Sequence, residues 1–206
     1  LLSLTFLFLF SGSVYGDDLQ DGLDAWDRKD YKEAYRLLFP LAEQGNSLGQ
    51  YNLGVRYKEG KGVPQDYKEA VKWYRLSAEQ GYASAQFNLA GKYCKGEGVP
   101  QDWKEAVKWY RLSAEQGNAD AQYFLGLMYS NGQGVLQDYK KAVKWFRLSA
   151  EQGDADAQFD LGKMFEDGLG VEQDYKEAFK WYGLAAEQKL EVAQYHLEMM
   201  HGNSPN

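Results

Sequence analysis

Residues 60–81 read GKGVPQDYKEAVKWYRLSAEQG, and residues 96–117 read GEGVPQDWKEAVKWYRLSAEQG. The two stretches stand 36 residues apart and differ at only two positions. An enzyme needs the reactive groups of its active site once, whereas a sequence segment repeated at a fixed spacing is typical of a structural unit. A period of this length predicts an all-α solenoid of helix-turn-helix repeats, in which each unit buries its apolar face against its neighbours.

Apolar residues recur at the same 36-residue spacing along most of the chain. Wound at 100° per residue, the repeated Trp, Tyr, Leu and Ala positions fall on one side of each predicted helix, and charged residues fall on the other. We therefore expect the repeated aromatic residues to form a core and to have a structural role. The tryptophan column holds Trp73, Trp109, Trp145 and Trp181.

Each second helix of a unit is predicted to begin after an aspartate. In three units a Glu follows this Asp by three residues, which is the capping-box arrangement. Lys141 stands in that place after Asp138, so we expect a weaker start there. Glycines are predicted to end both helices of a unit, because glycine readily adopts the left-handed C-cap conformation. The capping aspartates are Asp66, Asp102, Asp138 and Asp174.

Composition restricts the class of partner. The formal net charge is -7 and the pI about 5.0, which argues against nucleic acid as a partner. Cys94 is the one cysteine of the sequence, so no intramolecular disulfide can form. We expect a monomer that needs no cofactor.

The first residues differ from the rest of the sequence. LLSLTFLFLF at residues 1–10 is almost wholly apolar, and the small residues of SGSVYG follow. This pattern predicts a signal peptide over residues 1–16, incomplete at its N-terminus because neither an initiator Met nor a basic region precedes it. We therefore expect an exported protein, periplasmic or secreted, that does not contact the membrane once the signal is removed. The alternative is an uncleaved segment that anchors the chain in a membrane.

The repeated unit resembles a known family. AQYFLGLMYSNGQGV at residues 121–135 and KAVKWFRLSAEQG at residues 141–153 are similar to the Sel-1-like repeat, which is related to the TPR repeats. The resemblance implies a right-handed α-superhelix that serves as an adaptor or protein-binding scaffold. It predicts a degenerate N-terminal helix pair at 17–45, four repeats at 46–81, 82–117, 118–153 and 154–188, and a C-terminal capping helix and tail at 189–206.

No group of residues predicts catalysis. His196 and His201 lack the spacing of a zinc helix, so we expect a fraying C-terminal cap and no metal site. The Gly-x-Gly loops lack a Walker lysine and follow helices, which makes them turns. We therefore expect no enzymatic activity.

Two alternatives remain open at this point. Some cysteine-rich relatives in the resembled family have been regarded as β-lactamase-like, but those members close each repeat with a disulfide that this chain cannot form. The chain could also be a cell-envelope or host-facing factor that binds glycan or peptidoglycan.

The variable positions of the first helices suggest where a partner binds. In a helix-pair solenoid these helices line the concave groove, so we predict a peptide or protein partner there, with basic groups and an apolar anchor near Phe124. Asp120 and Asp156 also have a simpler explanation, because the helix dipole favours a carboxylate in the first turn. The predicted partner-binding residues are Asn88, Asp120, Phe124, Leu127, Asp156, Asp160, Lys163 and Asp167.

Overall fold

A computed structural model describes residues 18–202 of the chain, with side chains through residue 200. The predicted signal peptide lies outside the described residues. The chain divides after Gln101 into two compact units. The helices are α1 (residues 18–27), α2 (Tyr31–Glu43), α3 (Ser47–Glu59), α4 (Tyr67–Glu79), α5 (Ala83–Lys95), α6 (Trp103–Glu115), α7 (Ala119–Asn131), α8 (Tyr139–Glu151), α9 (Ala155–Asp167), α10 (Tyr175–Glu187) and α11 (Glu191–Gly202).

The helices alternate in two kinds that repeat every 36 residues. The first helices are the odd-numbered ones, and the second helices are the even-numbered ones from α2 to α10. Within residues 18–202 no strand is present. The prediction of an all-α fold built from repeated helix pairs is confirmed.

Aspartates form the N-caps of the second helices α4, α6, α8 and α10. The carboxylate of Asp102 accepts hydrogen bonds from the backbone N–H groups of Lys104 and Glu105. Asp138 accepts the N–H of Lys141, whose ammonium group also lies 3.1 Å from the carboxylate. The second helices therefore begin at the positions where local hydrogen bonding favours them. Asp66 and Asp174 each accept two backbone hydrogen bonds as Asp102 does.

The repeated apolar positions are mostly, but not uniformly, buried. Trp73, Trp109 and Trp181 are at most 6% exposed, whereas Trp145 is half-buried. The leucine column of the first helices is fully buried throughout α3 to α9, with Leu53, Leu89, Leu125 and Leu161 each at 0% exposure.

A repeated glutamine links three consecutive helices. In the unit that begins at Asp102, the side-chain amide of Gln122 on α7 donates to the carbonyl of Ala114 at 3.1 Å. Its own oxygen accepts a hydrogen bond from Gln152 at 2.7 Å. Because Gln122 is only 4% exposed, these bonds satisfy a buried amide and fix α7 against α6 and α8. Gln50, with Ala42 and Gln80, repeats the arrangement in the other unit.

Candidate partner-binding site

The predicted partner-binding residues lie mainly on two neighbouring first helices, α7 and α9. Asn88 is the exception: it lies on α5, in the other compact unit, where its side chain hydrogen-bonds to Tyr51. The α7 residues are Asp120, Phe124 and Leu127, and the α9 residues are Asp156, Asp160, Lys163 and Asp167.

Four of these residues line a single cavity of about 300 Å³ between α7 and α9. They are Leu127 from α7 and Asp160, Lys163 and Asp167 from α9. Asp160 is half-buried, whereas Lys163 and Asp167 are exposed at the surface. The remaining lining residues are Ser130, Asn131, Gln137, Tyr139, Phe146, Met164 and Leu169.

The carboxylate of Asp160 is the most perturbed group of this site. Burial raises the pKa of Asp160 to about 6, against a hydrogen bond from the Tyr123 hydroxyl and the charge of Lys163, which both favour the ionised form. The nearby carboxylates of Asp156 and Asp154 raise the pKa further. Asp160 is thus a desolvated carboxylate whose ionised form is favoured by the Tyr123 hydroxyl.

This environment makes protein stability depend on pH. The pKa of Asp160 is near 6 in the folded chain and ordinarily 3.8, so between these values the folded state binds more protons and stability falls as pH rises. We expect Asp160→Asn to raise the free energy of unfolding at pH 7 by about 1–3 kcal/mol, because Asn carries no charge and can still accept the Tyr123 hydrogen bond.

Chemical denaturation of the wild-type protein and the Asn variant at several pH values checks this expectation. The difference between the two proteins should shrink as pH falls from 7 towards about 3, below the pKa of Asp160 in both states. Asp156→Asn, on the exposed first turn of the same helix, is the control and should show no comparable gain. An Asp160→Asn variant that is less stable at pH 7 would contradict the assignment.

Phe124 provides an apolar surface on α7, the helix that also carries Leu127 of the cavity lining. Its ring stacks on that of Tyr110, with centroids 5.4 Å apart and planes inclined by 6°, yet 38% of the residue remains exposed. Asp120 and Asp156 are exposed in the first turns of α7 and α9, where the helix dipole favours a carboxylate. The dipole therefore accounts for these two residues and not for Asp160 or Asp167.

The repeat pattern alone does not identify several residues that shape the cavity. Tyr123 is not among the predicted site residues, although its hydroxyl is the side-chain partner of Asp160. Phe146 and Met164 follow only the general pattern of core positions, and they form part of the cavity wall. The one sequence signal for Tyr123 is the equivalent Tyr51, which bonds to Asn88 at the same spacing of 37 residues.

The structure also locates the residues considered for other chemistry. His196 Nδ1 lies 3.5 Å from a carboxylate oxygen of Glu166, which also accepts a hydrogen bond from Tyr182. Cys94 is half-buried and forms no disulfide. Among the side chains described, which end at residue 200, no three His, Cys, Asp or Glu residues are grouped to hold a metal ion. No helix within residues 18–202 has the length and apolar character needed to cross a membrane.

Sequence comparison assigns the family. The profile of the Sel1 repeat matches five consecutive segments, at residues 16–46, 47–82, 83–118, 119–154 and 155–190. The chain belongs to the Sel1 repeat family. The first matched segment includes the helix pair α1–α2, which the sequence predicted to be a degenerate unit. A comparison with curated proteins gave no match.

Solved structures of Sel1 repeat proteins are similar to this chain. A protective antigen present in uropathogenic Escherichia coli strains, which displays an SLR fold, is 37% identical over 91% of the chain with a TM-score of 0.87. The chain spans 41% of that antigen's length. A Sel1 repeat protein from Oxalobacter formigenes is 38% identical over 87% of this chain and 74% of its own length, with a TM-score of 0.83.

A more distant structure shares the fold alone. Helicobacter pylori cysteine rich protein B is 24% identical over 65% of the chain and 96% of its own length, with a TM-score of 0.52. The Sel1 repeat fold itself suggests a protein–protein interaction scaffold, and the family is generally non-enzymatic. Within such a frame, the residues that differ between repeats are the ones that can distinguish one partner from another.

Proposed function

We propose that this Sel1 repeat chain is a non-enzymatic scaffold that binds a peptide or protein with basic groups on the surface formed by α7 and α9. The observation that carries the proposal is the combination of features there: the exposed ring of Phe124 on α7, a cavity of about 300 Å³ between α7 and α9, and three carboxylates along α9. Exposed aromatic groups and unpaired charges beside a cavity are typical of binding surfaces.

The charges of the two kinds of helix differ in a way that supports this choice. On the second helices, Lys108 pairs with Glu105 at 3.4 Å and Lys180 with Glu177 at 3.2 Å. In the described part of the chain, no ion pair forms at Asp156, Asp160 or Asp167. The acidic surface of α9 therefore retains its charge for a partner, whereas the lysines are partly neutralised within the chain.

We also propose that the protein is exported and that residues 1–16 are removed. The support is the apolar run followed by small residues, which has the composition of a signal peptide. The intact mass of the protein recovered from cells that produce it measures this directly. A mass that includes residues 1–16 would favour a retained anchor.

The binding proposal is tested by pull-down with the mature protein and an Asp156/Asp160/Asp167 triple Asn variant. Partners should be lost or weakened with the variant at low salt, because opposite charges speed association most when screening is weak. Phe124→Ala should speed dissociation, because a buried apolar anchor acts mainly on the off-rate.

A matched control removes three negative charges elsewhere. Glu115, Glu151 and Glu187 are exposed last residues of α6, α8 and α10, so their triple Gln variant has the same net charge as the triple Asn variant. This control should capture the wild-type set of partners. If all three proteins capture the same partners equally at low salt, the acidic surface is only solvated and the proposal is wrong.

A further inference from the structure

We propose that the cavity between α7 and α9 receives an arginine side chain of the partner, with the guanidinium group bonded to Asp160 and the aliphatic stem packed against Leu127 and Met164. The inference rests on the proposed function, because it names the chemical group that this surface selects. Nothing in the general repeat pattern requires such a pocket, because Leu127, Asp160 and Lys163 of its lining occupy positions that vary between the repeats.

The size and lining of the cavity fit one long side chain. A volume of about 300 Å³ stands at the lower end of the range for small-molecule sites, which is too small for a helix. Leu127, Phe146 and Met164 supply apolar parts of the cavity wall, and Asp160 lines the same cavity. Arginine combines an apolar stem with a charged end group in the same way.

The Asp160 carboxylate forms no ion pair in the described part of the chain. Tyr123 uses one of its acceptor sites, and a carboxylate has about four. Lys163 acts on Asp160 through space without forming an ion pair in residues 18–202. Since folding has already removed much of the water around Asp160, an incoming cation gains more from it than from an exposed carboxylate.

The equivalent place in the other compact unit holds a cation supplied by the chain itself. Lys92 on α5, in the column of Met164, is 6% exposed and its Nζ lies 4.2 Å from the ring centroid of Tyr67. Glu97, in the column of Leu169, forms an ion pair with this lysine. There the repeat therefore buries a cation between a tyrosine ring and a carboxylate.

Between α7 and α9 the tyrosine is kept while that internal ion pair is replaced by apolar residues. Tyr139 has the position of Tyr67, and Met164 and Leu169 stand where Lys92 and Glu97 stand. The negative charge now comes from Asp160 and Asp167, whose equivalents are Asn88 and Lys95. The site thus keeps an aromatic wall and a carboxylate, while its lining cation, Lys163, is exposed and forms no ion pair with Asp160 in the described part of the chain, so an external cation can pair with that carboxylate.

Arginine suits this site better than lysine. A guanidinium is less strongly hydrated than an ammonium, so it loses less on entering a half-buried pocket. Its planar donors can bond a carboxylate and the side-chain oxygens of Asn131 and Ser130 at once, and both residues line the cavity.

The test titrates N-acetyl-arginine N-methylamide into the mature protein and follows the methyl resonance of Met164 and the carboxyl carbon of Asp160 by NMR. The lysine and citrulline analogues are the matched probes, because citrulline keeps the shape of arginine without its charge. We expect saturable shifts with arginine and about tenfold or greater weakening with citrulline, as the loss of one charge-assisted hydrogen bond predicts.

Two variants separate the pocket from the acidic surface as a whole. Asp160→Asn should bind the arginine probe no better than the citrulline probe. Met164→Lys combined with Leu169→Glu copies the Lys92–Glu97 pair, leaves Asp160 in place and should also abolish arginine binding. Asp167→Asn, at the exposed edge, should reduce binding less than Asp160→Asn does.

Arginine should also lower the apparent pKa of Asp160 in the same titration, because a bound cation favours the carboxylate. Other charged or titratable groups around Asp160 come from four places: Tyr123 of α7, Tyr139 of α8, Tyr182 of α10, and the N-cap Asp154 with Asp156, Lys163 and Asp167 of α9. His196 of α11 lies against Glu166 of the same helix as Asp160, so its titration is followed as well.

Equal shifts with arginine and citrulline, or undiminished arginine binding to Asp160→Asn, would overturn the inference. Pull-down of Phe124-dependent partners together with no arginine binding would reject the pocket and leave the proposed function standing. Arginine binding without any captured partner would support the pocket and contradict the proposed function. Binding of the lysine probe as tightly as arginine would show a general cation site and would contradict the selectivity.

Discussion

Trp109→Ala should lower the free energy of unfolding by about 3–5 kcal/mol, the usual loss when a large buried aromatic side chain is truncated. Trp109 is 6% exposed on α6, so the substitution leaves a cavity that a helix-pair repeat can close only by moving its helices. Its indole N–H has no hydrogen-bond partner within the described residues, so the loss measures packing and not a broken hydrogen bond. Chemical denaturation of the purified variant checks the expected loss.

Trp145 supplies the control within the same sequence column. It is half-buried, so Trp145→Ala should cost less than Trp109→Ala, even though the two residues occupy the same place in the repeat. Trp181→Ala, near the C-terminal end of the described helices, should also cost less, because terminal repeats have neighbours on one side only. An unchanged unfolding transition for Trp109→Ala would show that the tryptophan column is not a core.

Gly134→Ala should destabilise the protein by about 2–5 kcal/mol, through backbone strain and a steric clash together. Gly134 has a φ of +71°, which L-residues adopt at a cost, and a Cβ atom there would lie 2.3 Å from the backbone oxygen of Trp103. Because the contact is with backbone at the start of α6, no side-chain rotation can relieve it. The loop that follows α7 would have to move away from α6.

Gly117→Ala tests the strain without the clash. Gly117 has a φ of +91°, but a Cβ atom there would have no neighbour within 4 Å. We expect this substitution to cost about 1–2 kcal/mol, the strain of the left-handed conformation alone. Urea denaturation of both variants gives the comparison, and equal losses would mean that the close approach of the loop to α6 does not contribute to stability.

Local signals in the sequence were sufficient to predict where the helices begin and end. The capping aspartate Asp102 and the glycine after α7 act on backbone groups within a few residues, so their meaning does not depend on the rest of the chain. The 36-residue period then required that each helix pair be covered by similar pairs, which fixed the fold class. The cap at Asp138 differs through one substitution, because Lys141 in place of Glu puts an ammonium group beside the capping carboxylate.

The candidate site depends on tertiary structure more than the helices do. The variable columns indicated Asp160 and Leu127, and the structure places both at one cavity. Asn88 was predicted from the same column as Asp160 but lies in the other compact unit. A column in a repeat specifies an equivalent place in each unit, and it does not specify which units contribute to one surface.

Burial and charge were decided by contacts between helices that are distant in the sequence. The half-buried state of Trp145, the bond from Tyr123 to Asp160 and the raised pKa of that carboxylate all depend on residues of neighbouring helices. The sequence by itself determined the helices, their caps and the repeating frame, because those follow from hydrogen bonds and periodicity along the chain. Only the tertiary structure decided which carboxylate loses its water and what surrounds it, because desolvation depends on the packing of side chains from several helices.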